Sequence, residues 1–281
     1  VTTAEKPSLT FVLPVYNGAR FFGASLATVW AWLATEPRET ELLVVDDGSS
    51  DATWALLQQF AAEHPPAEGQ PRFVALRNAQ NRGKGYSLRR AFLEASGELV
   101  VFTDADLTYP VENVASLVAT LEQGPDLAYG SRMHADSRYI VAPTFFPLLF
   151  TRHAMGRVFN FLVQIVVVSG IRDTQAGLKG FRRAAARALA ERIRLDRFSF
   201  DVEMFFVARR LGQRIAECPV TFLYRKEPST VRFARDSLRM LRDMLVIRWR
   251  GWRGVYDGAP DPALLADLRG EPGARTTTGA G

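Results

Sequence analysis

Short apolar runs alternate with stretches of helical period through the first half of this chain, and that alternation limits the possible folds more than any other feature. The runs are Leu9 to Leu13, Leu42 to Val45, Phe73 to Leu76, Val100 to Phe102 and Leu127 to Tyr129. Runs so short and so uniformly apolar suit strands buried on both faces. After the first, Phe22, Leu26, Val29, Trp30 and Leu33 recur at helical spacing, and after the second Trp54, Leu57 and Phe60 do. A third helix is expected over Tyr86 to Ala95, and Pro110 suits the first turn of a fourth. The spacing predicts a parallel sheet with right-handed crossovers, an α/β fold. Pro14 is expected to end the first strand.

The second half changes character. Phe145 to Ile171 reads as an amphipathic helix, suited to core burial or to a membrane surface. Phe200 to Leu211 reads as a helix opening on Asp201 and Glu203, and Ile215 to Phe222 as one strand. Val231 to Trp252 reads as a helix mixing Leu, Met and Trp with Arg. From Arg225 to Arg253 nine basic residues face three acids, a pattern that suits phosphorylated ligands or anionic lipid surfaces. After Gly258 the composition turns to Pro, Gly, Ala and Thr, and a flexible tail is expected over 257–281. Neither a signal peptide nor a transmembrane span is expected, since Val1 to Pro7 lacks the basic-then-apolar pattern and the longest apolar run is broken by Asn160 and Gln164. The single cysteine, Cys218, excludes an internal disulfide and favours a cytoplasmic setting.

Chemistry concentrates where the apolar runs end. In open α/β sheets ligands bind beyond the carboxyl ends of the strands, and Asp104-Ala105-Asp106 follows Val100 to Phe102 directly. Two carboxylates one residue apart repel unless they share a cation or a proton, which points to a hard divalent ion held by Asp104 and Asp106. A loop with an Asx-turn is the alternative. His134 and His153 lack metal-ligand spacing and are assigned no chemistry.

Seven blocks in order carry a family resemblance: Leu13-Pro14-Val15-Tyr16-Asn17, Val45 to Asp51 (VDDGSSD), Asn81 to Gly85 (NRGKG), Asp104-Ala105-Asp106, Gly130-Ser131-Arg132, Asp173 to Lys179 (DTQAGLK) and Phe200-Asp201-Val202-Glu203. Over roughly Ser8 to Gly254 the chain resembles the inverting family 2 glycosyltransferases of the GT-A fold. Within that family it resembles the polyprenyl-phosphate hexose synthase branch, its glucose-transferring dolichyl-phosphate members more than its mannose synthases. The resemblance implies a mostly parallel Rossmann-like sheet flanked by helices, with C-terminal amphipathic interface helices. It divides the one GT-A domain into a nucleotide-sugar-binding half, 8–132, and an acceptor-binding half, 133–256. It also implies transfer of a hexose, from UDP-glucose, to a polyprenyl or dolichyl phosphate with inversion, dependent on Mg²⁺ or Mn²⁺. The expected place of work is the inner, cytoplasmic face of a membrane, with peripheral contact to anionic lipid and no nucleic acid.

The residues make physical sense in those roles. Asp46 and Asp47, on a turn at Gly48, can accept hydrogen bonds from a base and a ribose, while Pro14, Tyr16 and Asn17 offer a wall; capping of the next helix is the other use for those acids. Arg82 and Lys84 lie among glycines and can reach a donor diphosphate or the base. Asp104 and Asp106 would then hold the metal against that diphosphate, with Ala105 between them lining the donor site. The mannose synthases carry Gln two residues after the second Asp, where this chain has Thr108, so the resemblance is weaker for mannose. Arg132 and Lys179 are expected to clamp the acceptor phosphate, with Arg225, Lys226 and Arg232 as further candidates. Asp201 occupies the region of the catalytic base in relatives with hydroxyl acceptors; with a phosphate acceptor it would orient the sugar or a basic clamp. Asp106, Arg132, Lys179 and Asp201 are the expected catalytic group. A hydroxyl acceptor, another nucleotide sugar, and a non-catalytic nucleotide-sugar sensor or membrane-surface scaffold are the alternatives.

Overall fold

The computed structural model describes residues 8–141, 160–197, 199–224, 233–270 and 275–277. An eight-stranded sheet forms the centre. Its strands are β1 (Leu9–Val15), β2 (Thr40–Asp46), β3 (Arg72–Arg77), β4 (Leu99–Phe102), β5 (Leu127–Ser131), β7 (Lys179–Arg182), β8 (Ile215–Pro219) and β10 (Arg275–Thr277). They stand in the order β10-β3-β2-β1-β4-β7-β5-β8. β6 (Arg138–Val141) and β9 (Thr221–Tyr224) pair in parallel as a small second sheet.

The pairs β1-β2, β1-β4, β2-β3 and β5-β8 are parallel, as the βα alternation predicts. Two strands run the other way, β10 at the edge and, inside the sheet, β7. β7 runs antiparallel between β4 and β5, placing Lys179 beside Phe102 on one side and Tyr129 on the other. The alternation of side chains divides the core between the two faces. Phe11, Leu13 and Val101 pack with α1 (Phe22–Leu33), α2 (Thr53–Glu63) and α4 (Glu112–Glu122). Val12, Val100 and Phe102 pack with α3 (Lys84–Glu94), α6 (Arg183–Ala190), α7 (Phe200–Arg210) and α8 (Phe233–Trp252). A shorter helical run, α5, covers 160–166.

Three expectations need correction. The first strand runs through Pro14 to Val15. The carbonyl of Val12 accepts from Thr103 on the β4 side, and Pro14 shares that direction, but β4 ended at Phe102 opposite Val12. Pro14 thus faces the β4 side beyond the last paired residue, where its missing N–H interrupts no paired position of the ladder. The single strand expected over Ile215 to Phe222 is two, because β8 follows β5 only as far as Pro219 and β9 then turns to β6. The tail expected to be flexible over 257–281 contains a helix, α9 (Pro262–Gly270), and the edge strand β10, antiparallel to β3. Asp261 caps α9 by accepting from the Ala263 N–H, Pro262 occupies its first position, and Leu268 is buried.

Candidate active site

The carboxyl ends of β1, β2, β3, β4 and β5 open onto one edge of the sheet, and β7 enters there from the opposite direction. The loop after β1 is tied to the loop after β2. Asn17, at φ 51°, accepts from the Ser50 N–H (2.9 Å) and donates its own N–H to Ser49 Oγ (2.8 Å). Tyr16 is exposed beside it and Pro14 is half-buried. Asp46 is fully buried, accepts the Ser49 N–H (2.9 Å) and pairs with Arg77 (3.2 Å). Burial raises its pKa against the opposing pull of Ser49 and Arg77. Asp47, also buried, accepts from Asn78 Nδ2 (2.8 Å) and from the N–H groups of Arg82 (3.0 Å) and Gly83 (2.7 Å). Both acids thus shape the wall by holding loops. Arg82 itself pairs with Asp267 of α9 (2.8 Å) and lies over the Tyr86 ring.

Lys84, the first residue of α3, sends its Nζ to Asp104 Oδ1 at 2.6 Å. Burial lowers its pKa, but Asp104, Asp201 and Asp106 more than offset this and raise it, so it stays an ammonium. Gly83, at φ 108°, starts the helix where a Cβ would lie 2.4 Å from the Asp196 carbonyl oxygen. On the other side of Asp104 stands Gly177, whose Cβ, if present, would lie 1.9 Å from Asp104 Oδ2. Asp106 receives the N–H (3.1 Å) and hydroxyl (2.6 Å) of Thr108, so the residue that departs from the mannose-synthase pattern orients the second aspartate. Ala105 sits between them, packed on the core.

Lys179 is 0% exposed. Its Nζ donates to Asp201 Oδ1 (2.6 Å) and to the Ala176 carbonyl, over the faces of Phe102 and Phe205. Burial lowers its pKa against the pull of Asp201. A sealed ammonium cannot meet an incoming phosphate, so the expected clamp is instead the counter-ion of Asp201, whose Oδ1 it holds. The Arg132 guanidinium makes two hydrogen bonds to buried Asp173, 2.7 and 2.8 Å, its backbone N–H makes a third (3.0 Å), and the side chain lies over Phe222. Asp173, which sequence reasoning placed in a block without a role, is therefore the anchor of Arg132. Burial pushes its pKa up, and Arg132 outweighs that and brings it below the ordinary value. Gly177 was also missed as a neighbour of Asp104, while Glu203 lies off the site as expected. Glu203 points away from Asp201, as two-residue spacing on a helix requires. It accepts from Tyr256 Oη (2.6 Å), Arg194 N (2.9 Å) and Leu195 N (2.7 Å). Arg225, Lys226, Arg232 and His153 lie outside the described residues.

Among the described residues no group of three or more His, Cys, Asp or Glu is placed to share a metal ion. Asp104 and Asp106 alone fit a hard divalent ion only where a ligand's phosphate oxygens and water complete the shell, which is the usual manner of Mg²⁺ beside a diphosphate. The glycine at 177 fits that use too, since it is what lets Asp104 stand at the end of β4.

Known proteins resemble this chain in sequence and in fold. The model of glycosyl transferase family 2 matches residues 10–190. Dolichyl-phosphate beta-glucosyltransferase of Drosophila melanogaster is 32% identical over 229 residues, covering 77% of this chain and 68% of that protein. The Homo sapiens protein of the same name is 30% identical over 259 residues, covering 88% and 77%. Among solved structures, glucosyl-3-phosphoglycerate synthase from Mycobacterium tuberculosis in complex with Mn²⁺ and UDP-glucose superposes with a TM-score of 0.55 at 20% identity, over 91% of this chain and 81% of that one. A mannosyltransferase from Pyrobaculum calidifontis in complex with GDP-Man and Mn²⁺ gives 0.53 at 20% identity, over 95% and 70%. The fold is thus that of the GT-A enzymes, and this chain belongs to glycosyl transferase family 2.

Proposed function

We propose that this chain transfers glucose from UDP-glucose to a polyprenyl phosphate, with inversion, at the cytoplasmic surface of a membrane. The names of its relatives support the donor sugar and the lipid acceptor. One observation carries the choice of acceptor: Asp201, where a base for a hydroxyl acceptor would stand, is already neutralised by the sealed Lys179. A phosphate monoester needs no such base. Its second pKa is about 6, so near neutral pH it arrives as a dianion and a competent nucleophile.

The nucleoside lies against Pro14, Tyr16, Asn17 and the Asp46-Asp47 turn, and the diphosphate reaches Lys84. When bound at Asp104 and Asp106, Mg²⁺ or Mn²⁺ supplies neutralisation of the charge that the departing diphosphate gathers. Lys84 adds a positive charge to the same group, Thr108 keeps Asp106 oriented, and Arg132, fixed by Asp173, presents a cation at the acceptor side.

The outer face of α8 suits the lipid setting. Leu241, Leu245, Trp249 and Trp252 fall four, four and three residues apart on one stripe, and Leu245 and Trp252 are 67% and 77% exposed. Met244, Ile247 and Gly251 on the opposite face are buried. Arg248 lies over Trp252 and Arg253 over Trp249, flanking the stripe with charge. An apolar ridge bordered by arginines matches the hydrocarbon boundary and headgroups of an anionic surface. Exposed Phe161 and Ile165 of α5 add to the apolar surface. Among the described residues no helix is long and apolar enough to cross a membrane.

The test is a donor screen with a short polyprenyl phosphate, with and without EDTA. UDP-glucose should yield a glycosyl phosphate of inverted anomeric configuration, and chelation should abolish it. Transfer to the corresponding polyprenol but not to its phosphate would overturn the assignment.

A further inference from the structure

The arrangement around Asp104 bears on how donor and metal enter the site, and it rests on the donor and metal reading above. Three carboxylates, Asp104, Asp106 and Asp201, meet two ammonium groups, Lys84 and Lys179, at the end of β4. The two lysines differ in kind. Lys179 is sealed between Asp201, the Ala176 carbonyl and two aromatic faces. Lys84 is partly open to solvent, 21% exposed at its side chain, and its partner Asp104 is 38% exposed.

The backbone beneath Lys84 is fixed. The N–H groups of Gly85 (2.8 Å) and Tyr86 (3.3 Å) are spent on the Asp196 carbonyl, and no Cβ could be accommodated at Gly83 or Gly85 without meeting that segment. Those first-turn amides are therefore unavailable to an anion. What can move is the lysine side chain. An ammonium at 2.6 Å from Asp104 Oδ1 occupies an oxygen that a divalent ion would use, and the two cations repel each other when they share it.

We propose that Lys84 stands in for the divalent ion at Asp104 in the donor-free protein, and that the donor's diphosphate draws it away and opens the carboxylate to the metal. Metal and nucleotide then bind as a coupled pair, each raising the affinity of the other by the same factor. The protein without donor holds metal weakly, and the donor sets the moment at which the complete cluster forms.

Mn²⁺ binding, followed by the loss of the free-ion electron paramagnetic resonance signal, tests this without turnover. Wild type, Lys84→Met and Lys84→Gln are titrated with and without UDP, and thermal melting by circular dichroism identifies any variant that fails to fold. Wild type should bind Mn²⁺ at least about tenfold more tightly with UDP present, within the usual range of such couplings. In the absence of UDP, Lys84→Met and Lys84→Gln should bind Mn²⁺ about tenfold more tightly than wild type, and their gain on adding UDP should shrink. If wild type binds Mn²⁺ with UDP but the folded variants bind Mn²⁺ alone no better than wild type, the stand-in role is wrong and the metal reading stands. If no protein binds Mn²⁺ under either condition, the metal reading fails and this proposal with it.

Discussion

Gly177→Ala puts the position of Asp104 to a direct test. The new Cβ would sit 1.9 Å from Asp104 Oδ2 and 2.7 Å from its Cγ, well inside contact distance. The carboxylate has to retreat by roughly 1 Å or more, and its other oxygen is pinned by Lys84 at 2.6 Å, so retreat also breaks that pair. Misplacement on this scale at a reacting centre costs on the order of 10²-fold. That loss in kcat/KM corresponds to about 2.7 kcal/mol of transition-state stabilisation. Stability should change little, because residue 177 is not in the left-handed region and the gain of about 0.4–1 kcal/mol from restricting the unfolded chain is opposed by the cost of displacing Asp104 from Lys84. The assay is initial-rate transfer from UDP-glucose beside a thermal melt of the same preparation. A variant with wild-type kcat/KM and wild-type Mn²⁺ affinity would refute the claim that the carboxylate must stand where the glycine lets it stand.

The other predictions concern the charge pairs and the outer helix. Asp201→Asn leaves the buried Lys179 ammonium without its counter-charge and should cost about 3–5 kcal/mol in urea unfolding, most of it recovered when Lys179→Met is added. Asp173 has its pKa lowered below 3.8, so its contribution to stability is complete above that value and is lost as pH falls through the folded value. Wild type should therefore lose more stability than Asp173→Asn as pH falls below about 4, read by circular dichroism. Replacing Trp249 and Trp252 together with Ser should cut flotation with anionic vesicles about tenfold while leaving transfer to a water-soluble acceptor phosphate intact, and wild-type flotation should weaken as salt rises.

Much of this site could be read from residue order alone, because a parallel βα repeat fixes where strand ends converge. Asp104 and Asp106 stand beyond β4, Asn17 beyond β1 and Asp46-Asp47 at the end of β2, as the apolar runs predict. What escaped was long-range pairing. Four residues, Lys179 to Arg182, do not announce which way they run, and only the antiparallel insertion of β7 between β4 and β5 puts Gly177 against Asp104 and seals Lys179. The pairing of Asp173 with Arg132, forty-one positions apart, has the same origin. The ordered C-terminal region was missed for a different reason. Its Pro, Gly and Ala content outweighed a local signal that was present, an N-cap aspartate followed by a first-turn proline.

The N-terminal turn of α7 joins these parts. Asp201 and Glu203 leave the helix in different directions, so one turn serves two neighbours. Asp201 takes the ammonium of β7, directly under the end of β4. Glu203 takes the N–H groups of Arg194 and Leu195 on one oxygen, and Tyr256 and Arg250 on the other. The segment it holds continues into Asp196, whose carbonyl receives the first amides of α3 and whose carboxylate pairs with Arg89. Lys84 is therefore backed by a chain of hydrogen bonds that starts on a buried carboxylate. The same carboxylate receives Arg250 of α8, the helix that carries the exposed Leu and Trp stripe. Burial raises the pKa of Glu203, and its several donors act against that shift. A buried acid with every oxygen engaged is costly to leave half-paired, so the backbone beneath Lys84 and the proposed lipid-facing helix cannot shift independently without breaking hydrogen bonds to it, whereas the Lys84 side chain is held by Asp104 alone in this chain of contacts.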